Sequence, residues 1–70
     1  MIRQSVSSSN ISAVGYDTST SILEVKFHSG GTYRYSGVPV SIYNGLMSAS
    51  SHGTFLHVYI KDKYPCSKIS

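Results

Sequence analysis

Carboxylate side chains and cysteine are scarce in this sequence of 70 residues. The acidic residues are expected on a turn (Asp17), at an exposed strand position (Glu24) and among lysines (Asp62), so no pair of carboxyl groups is placed for acid–base catalysis. Cys66 is the single cysteine and follows a proline near the end of the sequence, and we take it as an incidental thiol rather than a nucleophile. We therefore expect a non-enzymatic protein without an internal disulfide.

Long apolar runs and targeting signals are also missing. No stretch approaches the roughly eighteen consecutive apolar residues that a membrane-spanning helix needs. The opening segment, MIRQSVSSSN, contains no apolar run of the length that a secretory signal requires. Together with the lone thiol, these absences predict a cytoplasmic protein with no membrane partner.

Metal-binding and phosphate-binding motifs are absent from the pattern as well. The candidate ligands His28, His52, His57 and Cys66 do not follow the spacing of a zinc site. The Gly30–Gly31 pair is not followed directly by a helix, as a phosphate-binding loop would be. We expect no metal and no cofactor.

The residues that are present describe a small, mildly basic domain. The chain carries a net charge of +3, is 40% hydrophobic and contains six tyrosines. A chain of this length forms one domain and buries only about 60% of its unfolded surface, so homodimerisation is one way for it to gain stability. The positive charge favours an anionic partner such as RNA, DNA or an acidic protein surface.

The clearest pattern is a β-hairpin over residues 22–38. Apolar and polar residues alternate in Leu23–Phe27 and again in Tyr33–Tyr35, which is the period of a half-buried strand. We predict a loop of three residues, Ser29–Gly31, because it places both apolar sets on one face and supplies a glycine for the left-handed position. The predicted cross-strand pairs are Phe27 with Tyr33 and Val25 with Tyr35.

The predicted register sets Lys26 directly opposite Arg34 on the outer face. Like charges in opposed positions destabilise a sheet. Glu24, on the diagonal, would offset part of the repulsion, and an anionic partner would offset the rest. We take Lys26 and Arg34 as candidate phosphate contacts, the alternative being an ordinary solvated face. Tyr33 and Tyr35 point to the packed face, which favours core packing over base stacking.

The two ends of the chain are polar. Residues 4–10 are rich in serine and predict a mobile arm or an edge extension, so we assign 1–8 as a flexible arm, 9–65 as the domain and 66–70 as a flexible tail. The first strand is expected to begin at Ile11, with a bulge at Val14 where the alternation slips.

The period changes after the hairpin. Pro39–Ala49 is predicted to be an amphipathic helix beginning at proline, although Gly45 inside it costs about 1 kcal/mol relative to alanine. Thr54–Tyr64 fits either a strand or a helix. The run Val58-Tyr59-Ile60 favours a strand, whereas Leu56, Ile60 and Tyr64 recur at helical spacing. Ser50 or Ser51 would cap the helix.

The C-terminal region is basic, with Lys61, Lys63 and Lys68 against a single aspartate. Such a segment is able to follow a phosphate backbone. The alternative is that these lysines serve solubility.

An ordered set of short motifs runs from about Ser9 to Tyr64. It comprises S-x-I at Ser9 to Ile11, Tyr16-Asp17, L-x-V-x-F at Leu23 to Phe27, Tyr33-Arg34-Tyr35, Val38-Pro39, Tyr43, Leu46, Ala49, Ser51, Gly53, Phe55, Ile60 and Tyr64. Through this set the sequence resembles the KTSC domain, a family named for the C-terminal extension of some lysyl-tRNA synthetases and also found as free-standing proteins. The resemblance implies a three-stranded antiparallel meander followed by helices, and thus a helix over Thr54–Lys61. It also implies RNA binding, from the synthetase association, although His57 stands where family members often carry asparagine.

We therefore expect an α+β domain with a three-stranded antiparallel meander and one or two C-terminal helices. The expected function is a non-enzymatic module that binds RNA or other nucleic acid. Its expected contacts are Lys26, Arg34, Lys61 and Lys63. The alternative is a protein-interaction or self-association module, such as a bacterial or phage accessory protein, that uses the surface near Tyr43, Tyr59 and Tyr64.

Overall fold

One antiparallel sheet and a short helical layer make up the protein, in a computed structural model that describes residues 3–70. The strands lie side by side in chain order. They are β1 (Arg3–Ser5), β2 (Ile11–Asp17), β3 (Ile22–Phe27), β4 (Thr32–Tyr35) and β5 (Cys66–Lys68). Between β4 and β5 the chain forms α1 (Val40–Ser48) and α2 (His52–Phe55), and α2 runs on into a π-helical turn (Leu56–Ile60).

The α+β class and the helices after the hairpin are as predicted, but the sheet has five strands rather than three. The added strands, β1 and β5, lie in the segments 1–8 and 66–70 that we assigned as an arm and a tail. Each has three exposed residues and no apolar alternation, so hydrophobic periodicity does not reveal it. Residues 1 and 2 of the arm lie outside the described residues, and the domain limits 9–65 stay a prediction.

The hairpin loop has three residues, as predicted, but it begins one residue earlier and spans 28–30. The Phe27 N–H donates to the Gly31 carbonyl at 2.9 Å and the Gly30 N–H donates to the Phe27 carbonyl at 3.0 Å. Gly30 supplies the left-handed position with φ +110°. The predicted pairs were therefore wrong by two positions. The observed partners are Val25 with Tyr33 and Leu23 with Tyr35.

The bulge in β2 also lies earlier than predicted. The register with β3 shifts between Ile11 and Ala13, not at Val14. The extra residue brings Ile11 and Val14, three positions apart, onto the same buried face. The break in alternation that the sequence shows at Val14 is thus a consequence of the bulge between Ile11 and Ala13.

The helices cover one face of the sheet and enclose the core. Since neighbouring strand residues point to opposite faces, the helix-covered face carries Leu23 and Val25, and the other face, here termed the outer face, carries Glu24 and Lys26. Within residues 3–70 the buried apolar set is Ile11, Val14, Leu23, Val25, Tyr35, Val38, Leu46, Leu56 and Ile60.

Helix α1 agrees with the predicted helix to within one residue at each end. Pro39 precedes its first turn, and the Pro39 carbonyl accepts from the Ile42 N–H at 3.0 Å. Gly45 faces the ring of Phe55, because a Cβ built on Gly45 would lie 2.7 Å from the Phe55 Cζ. The glycine that weakened the helix prediction is what lets α1 and α2 approach each other.

The segment that periodicity left ambiguous, Thr54–Tyr64, is helical as far as Ile60 and continues as a turn. Ser51 caps α2, since its Oγ accepts from the Thr54 N–H at 3.3 Å. In the π-helical turn the Lys61 N–H donates to the Leu56 carbonyl at 2.8 Å, five residues back. The resemblance implied this helix correctly.

Candidate functional site

An open groove of about 800 Å³ lies between the hairpin end of the sheet and the second half of the helical layer. Four parts of the chain form its walls. They are residues 9–10, the hairpin end from Phe27 to Tyr35, the helical segment from Gly53 to His57, and the segment from Lys61 to Cys66. A groove of this size, lined by aromatic rings and a few polar groups, is the default candidate for a binding site.

Aromatic rings form the sheet side of the groove. Phe27 and Tyr33 are half-buried and meet edge to face, with ring centroids 5.7 Å apart. Tyr35 is buried next to them. Burial, and after it the Cys66 thiol on the neighbouring strand, raises the pKa of Tyr35 to about 12, so its hydroxyl is neutral at physiological pH. Tyr64 adds a half-buried ring at the C-terminal side.

Polar and charged groups line the groove beside these rings. His28, His57, Lys61 and Asp62 are exposed there. The His28 Nε2 lies 3.0 Å from the Ser8 carbonyl oxygen. Within residues 3–70 the ion pairs are confined to the outer face, so Lys61 forms none, although the acidic Asp62 next to it in the chain lines the same groove.

A buried carboxylate stands on the outer face. Glu24 is only 3% exposed. The Arg34 Nε donates to the Glu24 Oε1 at 3.1 Å, and the Arg3 Nε donates to the Glu24 Oε2. We term these residues the Glu24 cluster. In the register, Gly15 of β2 lies between Arg3 and Glu24, and since glycine has no side chain, Arg3 is able to cross β2.

The Glu24 cluster keeps its carboxyl ionised. Burial by itself would raise the pKa of Glu24, but the hydrogen bonds and the positive charges of Arg3 and Arg34 outweigh burial. The pKa of this carboxyl therefore lies below its ordinary value.

The predicted opposition of Lys26 and Arg34 is wrong. Arg34 pairs with Glu24, and Lys26 pairs with Thr32. The physical reason is the loop position, because a loop one residue earlier replaces a repulsive cross-strand pair with an attractive one.

The four predicted contact residues do not form one surface. Lys26 and Arg34 lie on the outer face, whereas Lys61 lines the groove on the helix-covered side. Lys63 is exposed two residues further on. A role of any of them in binding nucleic acid stays a prediction.

The sequence predicts which aromatic rings lie on the packed face, but it does not predict the groove. It placed Tyr33 and Tyr35 correctly on the packed face. It missed that the short helical layer leaves the hairpin end of that face open, so that Phe27 and Tyr33 stay half-buried. The available signal was the modest length predicted for the helices. Asn10 and His28, which also line the groove, gave no signal of their own.

Two further observations concern metals and membranes. In the described part of the chain no three His, Cys, Asp or Glu residues come together in a way that would hold a metal ion. None of the helices between residues 3 and 70 has the length and apolar character to cross a membrane.

The structure defines a small α+β domain, with a five-stranded meander covered on one face by helices. The chain matches the KTSC domain family over residues 7–64. It therefore belongs to the KTSC domain family.

Some of the relatives are similar in length to this chain. A protein of Tsukamurella paurometabola is 39% identical over 61 residues, covering 87% of this chain and 91% of its own. An uncharacterised protein of Stutzerimonas stutzeri is 38% identical, with 91% and 90% covered. The crystal structure of a KTSC domain protein from Yersinia pestis superposes with a TM-score of 0.96 at 46% identity, covering 99% of this chain and 97% of that one.

A segment of a much larger protein is also similar. The lysine–tRNA ligase of Trichormus variabilis is 34% identical over 55 residues, which cover 79% of this chain but only 10% of the ligase. The similarity concerns that segment, not the ligase as a whole.

Proposed function

We propose that this KTSC domain is a non-enzymatic module that binds RNA, and that the groove is where it does so. The observation that carries the proposal is the juxtaposition of half-buried aromatic rings, Phe27 and Tyr33, with Lys61, which lines the same groove and forms no ion pair within residues 3–70, although Asp62 lies beside it. Aromatic faces stack on unpaired bases, and a lysine beside them meets the phosphate.

The relatives support the choice of RNA over other anions. A domain similar to this chain is part of lysine–tRNA ligases, proteins whose name states an RNA substrate. In our proposal the domain would supply RNA affinity in such a ligase, and would do so by itself in the free-standing proteins.

The proposal gives the predicted contact residues different weights. Lys61 lines the groove, Lys63 is exposed two residues further on, and in our proposal both would contact phosphates of the bound strand. Lys26 and Arg34 lie on the other face of the sheet, and Arg34 is engaged by Glu24. A short strand held in the groove would therefore not reach Lys26.

The test compares two lysines on opposite faces. Fluorescence anisotropy with a short labelled single-stranded RNA, at about 50 and 200 mM salt, measures affinity and its salt dependence. We expect Lys61→Ala to weaken binding and to lower the salt slope by about one counterion. The matched control Lys26→Ala should leave both nearly unchanged. No binding at low salt, or an equal loss in Lys26→Ala, contradicts the proposal.

A protein-interaction module is the second candidate. Its support is an exposed apolar pair on the π-helical turn, Val58 and Tyr59, which are 49% and 53% exposed. The Tyr59 ring packs on Phe55, with centroids 4.6 Å apart. Of the three tyrosines first considered for this role, Tyr59 belongs to this pair, whereas Tyr43 stacks on Tyr16 and Tyr64 lines the groove. Light scattering over a wide concentration range, with a Val58→Ser, Tyr59→Ser double variant, tests self-association; a strict monomer counts against it.

A further inference from the structure

The Glu24 cluster has the form of a prepared oxyanion site. Two guanidinium groups, Arg3 from β1 and Arg34 from β4, reach one buried carboxylate from opposite sides of β3. Each donates to it through Nε. The cluster is on the outer face, away from the groove, and the proposed RNA site does not use it.

Burial is unequal within the cluster. The Glu24 side chain is 4% exposed, whereas the side chains of Arg3 and Arg34 are 39% and 46% exposed. Each arginine donates to the carboxylate through Nε. Its Nη groups are therefore able to donate to a ligand from solvent. Glu24 thereby fixes the orientation of both guanidinium groups and leaves them accessible to solvent.

The charge of the cluster fits an anion. One carboxylate against two guanidinium groups leaves a net charge of +1, and Lys26, exposed on the same face, adds another positive charge. Guanidinium groups bind phosphate through parallel N–H donors, and a group held in place loses less conformational freedom when it does so.

We propose that Arg3 and Arg34, held by Glu24, form a binding site for a phosphate group on the outer face of the sheet. Glu24 is the positioning residue, and the two arginines are the contacts. Gly15 completes the site, because its missing side chain leaves the path by which Arg3 crosses β2.

The test follows the arginine Nε–H signals by NMR while inorganic phosphate replaces chloride at constant ionic strength. We expect saturable shifts of Arg3 and Arg34. Glu24→Gln should weaken the apparent affinity by about fivefold or more, because guanidinium groups that are no longer anchored lose more conformational freedom when they bind phosphate. General charge attraction predicts the opposite, since this variant makes the face more positive. The control Lys26→Ala removes a charge of the same face and should have a smaller effect.

A second variant guards against a folding defect in Glu24→Gln. Arg34→Lys keeps the positive charge and loses the planar fork, so it should weaken phosphate binding to a similar extent. The site is refuted if phosphate causes no saturable shift, if Glu24→Gln tightens binding, or if Arg34→Lys leaves binding unchanged.

Single-stranded RNA added to the Lys61→Ala chain distinguishes the sources of the phosphate. Shifts of Arg3 and Arg34 there assign the ligand to a nucleic-acid backbone. A response to inorganic phosphate without one to RNA assigns it to a small phosphorylated molecule. Both outcomes are independent of whether the groove binds RNA.

Discussion

At the scale of single residues, Gly45 decides how closely the two helices approach. A methyl group there would lie 2.7 Å from Cζ and 3.1 Å from Cε2 of the Phe55 ring. Movement of the ring is limited, because it also packs against the ring of Tyr59 at a centroid distance of 4.6 Å. Two opposing effects act on Gly45→Ala: alanine gains about 1 kcal/mol of helix propensity, and overpacking costs about 1–3 kcal/mol.

We expect overpacking to win at this position. Gly45→Ala should lower the free energy of unfolding by about 1 kcal/mol in urea titrations. Asn44→Ala, at the exposed neighbouring position of the same helix, should instead stabilise by a few tenths of a kcal/mol. In a Phe55→Leu background the Gly45→Ala loss should shrink or reverse. A gain in stability from Gly45→Ala in the native background would contradict the close approach.

At the scale of elements, the parts built from apolar periodicity were predictable from sequence and the parts built from backbone pairing were not. Alternation located β3 and β4 and their buried face, and helical spacing located α1. The edge strands β1 and β5 consist of exposed polar residues held by ladder hydrogen bonds, so they carry no apolar signal. The alternation of apolar residues also cannot distinguish a loop at 28–30 from a loop at 29–31. Either loop leaves the apolar residues of β3 and β4 on the same face of the sheet.

Charge pairing would have decided the register. A loop at 29–31 sets Arg34 opposite Lys26, whereas a loop at 28–30 sets it opposite Glu24. The second register is favoured, because opposite charges in a cross-strand pair attract and like charges repel. The groove was harder to foresee, since it depends on how far a helical layer extends over the sheet. The sequence pattern predicted which aromatic rings lie on this face. Whether those rings are accessible depends on how α2 and the π-helical turn that follows it pack on the sheet.

At the scale of the whole molecule, the acid limit of stability should depend on two carboxyl groups with lowered pKa values. For Asp17, the Ser19 hydroxyl and the Ser19 N–H hydrogen-bond to Oδ1 at 2.6 and 2.9 Å and lower the pKa. For Glu24, Arg3 and Arg34 lower the pKa against the effect of burial. A carboxyl whose pKa is lower in the folded state binds its proton more readily in the unfolded chain.

As far as these two carboxyl groups determine it, the free energy of unfolding should therefore be constant between about pH 5 and pH 7, and should fall as the pH drops through the folded-state values. Urea titrations from pH 7 to pH 2.5 measure this slope. Glu24→Gln should be less stable than the native chain at pH 7 and should lose less stability on acidification, so that the two curves converge at low pH. Asp17→Asn serves as the comparison, since it removes only a solvent-exposed turn interaction and should flatten the curve less. Parallel curves for Glu24→Gln and the native chain would mean that the Glu24 cluster does not hold its carboxylate ionised through the arginines.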